Sequence, residues 1–268
     1  FLLMIAGGLV TSTKSGLSVP DWPLSYGRLM PPMVGGIRYE HTHRIIAALV
    51  GFMTLILAIW LCFSDPRKWV RWTGIGALGL VVAQGILGGM TVLYLLPAPI
   101  SVLHACLAQT FFSVTVCLSF IMSKEWNEKS VSNLDFLKQP LVLMIMILYV
   151  QLILGAALRH TSNQLIVISH VIWGFVVLIH ARVIVTRTTR HDEGGKKLTH
   201  PALFLGVVTL VQVALGLGAF VYQFMLPETI QPQAGKVFFI TAHQTLGAIV
   251  LATAVFLALR VYRKAVAG

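Results

Sequence analysis

Little in this chain suits a water-soluble protein. Only 11% of its 268 residues are charged, and 9 acidic residues face 20 basic ones. Such a sequence cannot cover a soluble domain of this size with polar groups. The net charge of +11 therefore has no soluble basic domain to carry it, and nucleic-acid binding is excluded. Cysteine is equally scarce. Cys62, Cys106 and Cys117 all fall in apolar stretches. The last two share one helix and lie about 16 Å apart along it, too far to pair. They are read as buried structural thiols, and a disulfide framework is excluded. No flavin or nicotinamide fingerprint is present, so redox equivalents would have to come from a partner protein or a quinone.

What the chain has instead is apolar length. Hydrophobic residues make up 57% of it, with a mean hydropathy of +0.84. A bilayer span needs about 20 such residues, and the pattern predicts spans near 1–11, 43–62, 73–95, 101–122, 140–158, 168–186, 202–224 and 238–260. The first is too short to cross, and because the chain opens on Phe1 the start of that helix is expected to lie before it. The expected fold class is an all-α polytopic membrane protein with eight transmembrane helices, arranged as two parallel four-helix-bundle repeats. Fourteen of the 20 Lys and Arg, among them Arg67, Lys124, Arg187, Lys197 and Arg263, fall on one side of this layout. That side is expected to be cytoplasmic, with both termini there. The loops at 12–42, 96–100, 159–167 and 225–237 then face outward, and the basic side faces anionic membrane lipid.

The chain also repeats itself. Three helices share a string: Gln84-Gly-Ile-Leu-Gly88, Gln151-Leu-Ile-Leu-Gly155 and Gln212-Val-Ala-Leu-Gly216. In the first hairpin the Gln is missing, but Gly7 and Gly8 precede Thr11 in the same way. By itself the string is a helix-packing motif, since Gly permits close approach and Gln hydrogen-bonds across helices. Each helix that follows carries a histidine with a small residue four positions on: His43 with Ala47, His104 with Ala108, His170 with Gly174, His243 with Gly247. On a helix these pairs share a face, so an imidazole stands beside a patch with almost no side chain. That shape suits a flat macrocycle held by an axial ligand. Histidine within a membrane is costly and marks function. One such histidine is usually an interfacial residue; the same context four times points to iron ligation. His43 would pair with His104 and His170 with His243, giving two bis-histidine haems in one layer near the outer face. His41 points away from His43 and is assigned to the lid or surface. His180 has no counterpart in the repeat, and His160, His191 and His200 are expected to be solvated.

The two halves, 1–125 and 138–264, differ ahead of their first histidine. Tyr39-Glu40-His41-Thr42-His43-Arg44 faces Ile166-Val167-Ile168-Ser169-His170 in the second half. Glu40 is three residues before His43 on the same face. A carboxylate there could stabilise positive charge or hold a water as general base, or simply favour the helix dipole. Before it runs an outer loop, about 12–42, rich in turn residues and aromatics, which reads as a folded lid. Lys14, Arg28, Arg38 and Arg44 are candidate partners for haem propionates, with ordinary interfacial anchoring as the alternative for each.

With Gly7-Gly-Leu-Val-Thr11, Ser15-Gly-Leu-Ser18, Asp21-Trp-Pro23, Pro31-Pro32 and Glu40-His-Thr-His43-Arg44, the chain resembles the haem A synthase family over essentially its whole length. The resemblance implies an oxidoreductase that converts the C8 methyl of haem O to a formyl group, giving haem A for terminal oxidases. It implies a reactive first half with Glu40, His43 and His104, and a second half holding haem b through His170 and His243. It also implies a haem O synthase as supplier. One branch of the family carries cysteine pairs in its outer loops; this sequence has none, so thiol chemistry there is not expected. Methyl to formyl is two successive hydroxylations followed by loss of water. The new oxygen enters either through an open position on the iron or by adding water after electrons leave the macrocycle, and two stable imidazoles favour the second. Two other functions compete. A diheme b-type electron carrier, such as a quinol oxidoreductase subunit, commonly takes two histidines from one helix for haems near opposite faces, whereas here each helix gives one. A transporter would show broken spans at the midplane. A homo-oligomer is compatible with the sequence.

Overall fold

The computed structural model describes residues 1–128, 134–159, 163–190, 195–227 and 233–263. Among these there is no strand, only an isolated bridge between Ser25 and Arg28. The helices are α1 (Leu2–Ser12), α2 (Ile37–Ser64), α3 (Lys68–Leu93), α4 (Ala98–Ile121), α5 (Asp135–Ala157), α6 (Gln164–Arg190), α7 (Gly195–Phe220) and α8 (Ala234–Tyr262). A 3₁₀ turn at Lys124–Asn127 follows α4, and a π turn at Val221–Met225 extends α7. Seven helices, α2 to α8, are long and apolar enough to cross a membrane, and α1 is a shorter apolar helix. Large apolar side chains stand on the outside, as they do in a lipid-facing protein: Phe63, Trp72, Ile179, Leu217 and Phe238 are all exposed.

The helices begin several residues before the apolar runs that mark the spans. Hydropathy reports only the part that must avoid water, while the helical backbone continues its own hydrogen bonds through the interface. Chain chemistry sets the stops. Asp65 ends α2 in an extended conformation because Pro66 follows it. Its carboxylate accepts from the backbone and guanidinium of Arg67, whose charge and donors hold the Asp65 pKa down to about 2. Pro140 lies inside α5 rather than at its start. It has no N–H to donate to the Phe136 carbonyl, and Arg187 of α6 donates there instead at 3.2 Å. His180 is 2.8 Å from the Pro140 carbonyl, so this histidine without a repeat counterpart ties α6 to α5.

By contact the chain divides into two compact units, 1–111 with 215–245, and 112–214 with 246–268. In the first, α1 packs on α2 and α2 on α3. Gly74 lets α3 approach α2 so closely that a Cβ there would lie 2.7 Å from Leu61. Ser12 and Thr241 share a 2.8 Å hydrogen bond that joins α1 to the start of α8. The second unit has the larger apolar core, with Leu141, Met144, Ile184, Leu205 and Leu257 all but sealed from solvent. At its edge Arg260 is stacked between Phe120 and Phe256 and bonded to Glu125 at 2.6 Å. The three cysteines are free and half-buried, not buried as the apolar sequence around them suggested. They sit on helix faces where only part of the side chain is covered.

Candidate functional site

The repeated glycine and the repeated histidine meet. In every hairpin the imidazole of the second helix lies against the glycine of the first. An added Cβ would be 3.1 Å from His43 Cε1 at Gly7, 3.2 Å from His104 Cε1 at Gly88, 2.8 Å from His170 Cε1 at Gly155 and 2.8 Å from His243 Cε1 at Gly216. Ordinary Cβ contacts are longer, so no other residue seats the ring without moving it. The glycine of the Gln-x-x-Leu-Gly string is thus more than a helix-packing residue: it is the seat of the imidazole. The histidines lie six residues into α2, α4 and α6 and nine into α8.

The glutamine of the same string reaches the same ring. The Gln84 amide nitrogen is 3.3 Å from His104 Nε2, and that of Gln151 is 3.4 Å from His170 Nε2. Gln151 also donates to the His170 carbonyl at 3.1 Å. In the second half these amides fill the space beside the small residue one turn on: Gln151 at Gly174 and Gln212 at Gly247. The small residue there thus faces the hairpin's own glutamine. Sequence reading missed this contact, although the glutamine's place in the repeat signalled it.

His43 and His104 belong to the same unit and lie within electrostatic reach of one another. Nδ1 of each is buried with no hydrogen-bond partner. A buried ring nitrogen that no protein group satisfies is a candidate ligand position. Among the described residues no three His, Cys, Asp or Glu converge. A haem iron takes four nitrogens from its own macrocycle and asks for only two imidazoles, so a pair with bare, buried nitrogens fits haem. His170 and His243 repeat the same seat, each on its own hairpin.

The loop before α2 is folded, and most of its ties go to the Glu40–Arg44 turn. Glu40 is 3% exposed. Its Oε2 accepts from the Val19 N–H at 2.9 Å and its Oε1 from Arg44 at 2.6 Å. Arg44 also donates to the carbonyls of Asp21, Leu24 and Val19 at 2.7, 2.7 and 3.3 Å. Both groups expected at the haem edge are therefore engaged with the lid. The Asp21 carboxylate takes the N–H groups of Gly27 and Tyr26, which hold its pKa below the usual carboxylate value. His41 is buried rather than superficial and shares a 2.8 Å hydrogen bond with Ser25 of the lid. Arg38 is stacked on Tyr39 and bonded to its hydroxyl, Arg28 is exposed, and Lys14 stands in the left-handed region at φ 54°.

The lid's far end rests on α3. Trp22 lies over Gly89, where a Cβ would be 2.7 to 3.0 Å from three indole atoms. Gly89 is the residue after the seat of His104. A flat, rigid indole cannot yield as a flexible chain end would, so Gly89→Ala is expected to displace Trp22. Tryptic cleavage after exposed Arg28 should then speed up several-fold in the purified protein, and an unchanged cleavage rate would show that Trp22 does not hold the lid. Of the remaining histidines, His200 is exposed and lines an apolar cavity of about 480 Å³ with Phe112, Phe204 and Phe256 in the second unit. His160 and His191 lie outside the described residues.

These features define a multi-pass helical membrane protein whose hairpins each seat an imidazole on a glycine. Residues 37–170 match the family of cytochrome oxidase assembly proteins, and the chain belongs to that family. It is 28% identical to the heme A synthase of Alkalihalophilus pseudofirmus over 171 residues, covering 61% of this chain and 57% of that protein. To the heme A synthases of Bacillus licheniformis and Lysinibacillus sphaericus it is 27% identical, covering 61% and 62% of this chain and 56% of each relative. The chain thus matches a little over half the length of these relatives.

Proposed function

We propose that this protein is a haem A synthase: it oxidises the C8 methyl of haem O to a formyl group, supplying haem A for terminal oxidases. The observation that carries this reading is the seating of all four imidazoles on glycines at equivalent places, combined with the family match over α2 to His170. In this reading His43 and His104 hold the substrate haem in the first half, and His170 and His243 are the ligand donors for a haem b in the second. Eight helices form two parallel repeats, the halves falling at 1–125 and 138–264. Both termini are cytoplasmic and the haems lie near the outer face, as the distribution of Lys and Arg supports.

The residues then divide the work. His43 and His104 would hold the haem iron through their imidazoles and so orient the macrocycle. Gln84, whose amide nitrogen stands 3.3 Å from His104 Nε2, would limit the ring's rotation. The lid shields the site from bulk water and leaves Lys14, Arg28 and Arg38 as candidate partners for propionates. The haem supplies the redox chemistry. Each hydroxylation takes two electrons from the methyl carbon, with water as the favoured oxygen donor and a partner protein or quinone as acceptor; haem O comes from a haem O synthase. Mass spectrometry of pigment extracted from purified protein tests the reading. Haem O or haem A beside haem b is expected. Haem b alone would make the protein an electron carrier.

A further inference from the structure

We propose that Glu40 and Arg44 form a latch that positions the outer lid above the first-half imidazoles, with the Glu40 carboxylate holding backbone instead of exchanging a proton. This rests on the reading above for its consequence in turnover, though not for its structural content.

The lid touches down within one helical turn of both imidazoles. On α2, Glu40 and Arg44 flank His43, three residues before it and one after, and together they bind Val19, Asp21 and Leu24. On α3, Trp22 covers Gly89 while the neighbouring Gly88 seats His104. The residues held by Arg44 bracket Trp22 in sequence, so the guanidinium fixes the segment that carries the indole. A planar fork with several donors suits three carbonyls and a carboxylate at once; a lysine's single point charge does not. Glu40 in turn is all but buried and binds through both oxygens: one takes the Val19 N–H, the other the arginine. A general base presents a lone pair to water or substrate, whereas this buried carboxylate gives one oxygen to the lid backbone and the other to the arginine that grips the lid. The neighbouring His41–Ser25 bond adds a second tie between α2 and the lid.

The two roles separate experimentally. A latch acts as a pair, so Glu40→Ala and Arg44→Ala should each slow haem O conversion roughly 10- to 100-fold, as expected for losing charge-assisted hydrogen bonds from a buried partner. The double variant should be no slower than either single one. Tryptic cleavage after Arg28 should accelerate in all three, while the low-spin absorbance of both haems stays in place. Glu40→Gln keeps one acceptor and should retain measurable conversion with intermediate cleavage, and Arg44→Lys should recover part of the Arg44→Ala loss. Should the alanine variants not accumulate, these two carry the same comparison. A Glu40→Gln protein with no conversion and a lid as protected as wild type would overturn the latch in favour of chemistry at the carboxylate. So would Arg44→Ala with wild-type cleavage. If wild type converts no haem O yet cleavage follows this pattern, the latch stands and the proposed activity falls.

Discussion

His104→Ala is expected to empty the first-half haem site and abolish conversion while the second-half haem b keeps its low-spin spectrum. His104 is chosen over His43 because it stands apart from the latch. His43 sits between Glu40 and Arg44, so its loss could act through the lid; His104 is seated on Gly88 and beside Gln84. Losing an orienting partner of a metal-bound histidine already costs about 10–100-fold in affinity or activity, and losing the imidazole itself must cost more. The alanine leaves a void beside Gly88, and added imidazole can enter it. Partial return of the first-half absorbance on adding imidazole would mark the loss as one of ligation. Quantifying haem per protein by pyridine haemochrome decides the matter: a drop of one haem is expected, and two retained haems with wild-type spectra would remove His104 from the ligand set.

How much of this was legible beforehand depends on the range of the interaction. The seven long helices follow from apolar length alone, because the bilayer imposes that length on the sequence. The histidine–glycine seats were half legible. Gln84 to Gly88, Gln151 to Gly155 and Gln212 to Gly216 stand out as a repeat, and so do the histidines, but the contact between them depends on the rotation of two helices about their axes. Periodicity does not fix that rotation when nearly every face is apolar. The lid was the least legible part. Its turn residues predict a folded loop, yet the reach of Arg44 back to Asp21 and Leu24 depends on a backbone path that no local pattern encodes. For the same reason Glu40 read as a group facing the haem when its oxygens in fact meet Val19 and Arg44. His41 was read as lid or surface, and of the two it is the lid that holds it, through Ser25; that the lid also buries it is invisible in a helical projection. Leu95 and Leu96, both left-handed at φ 60° and 61°, were equally unforeseen. Bulky residues avoid that region at a cost of roughly 1–2 kcal/mol each, and here Leu96 packs on Gly16 of the lid.

The sharpest consequence of the seats lies in the second half. Gly155→Ala and Gly216→Ala are expected to expel the second haem, whereas Gly88→Ala should only weaken the first. The difference is one of distance. At Gly155 and Gly216 a new methyl would lie 2.8 Å from Cε1 of the facing imidazole, inside the limit of real Cβ contacts, while at Gly88 it would lie at 3.2 Å. The two cases therefore differ in kind, because the first demands movement and the second tolerates a few tenths of an ångström. His170 has little room to retreat. Gln151 is bonded to its carbonyl and lies 3.4 Å from its Nε2, so ring and backbone are held by the same side chain. The ring must then swing about its Cα–Cβ bond or the helices must part, and either change moves both ring nitrogens from their present positions. Overpacking a buried contact of this sort costs about 1–3 kcal/mol in stability, less than the stability of an ordinary folded domain, so the variants should still fold. The expected result is purified Gly155→Ala protein with the first-half haem present, the haem b signal gone or converted to high spin, and haem O conversion falling with it as the second electron site is lost. Retention of both low-spin haems in Gly155→Ala and Gly216→Ala would show that the imidazoles do not need their glycines, and would leave the repeat as no more than a packing motif.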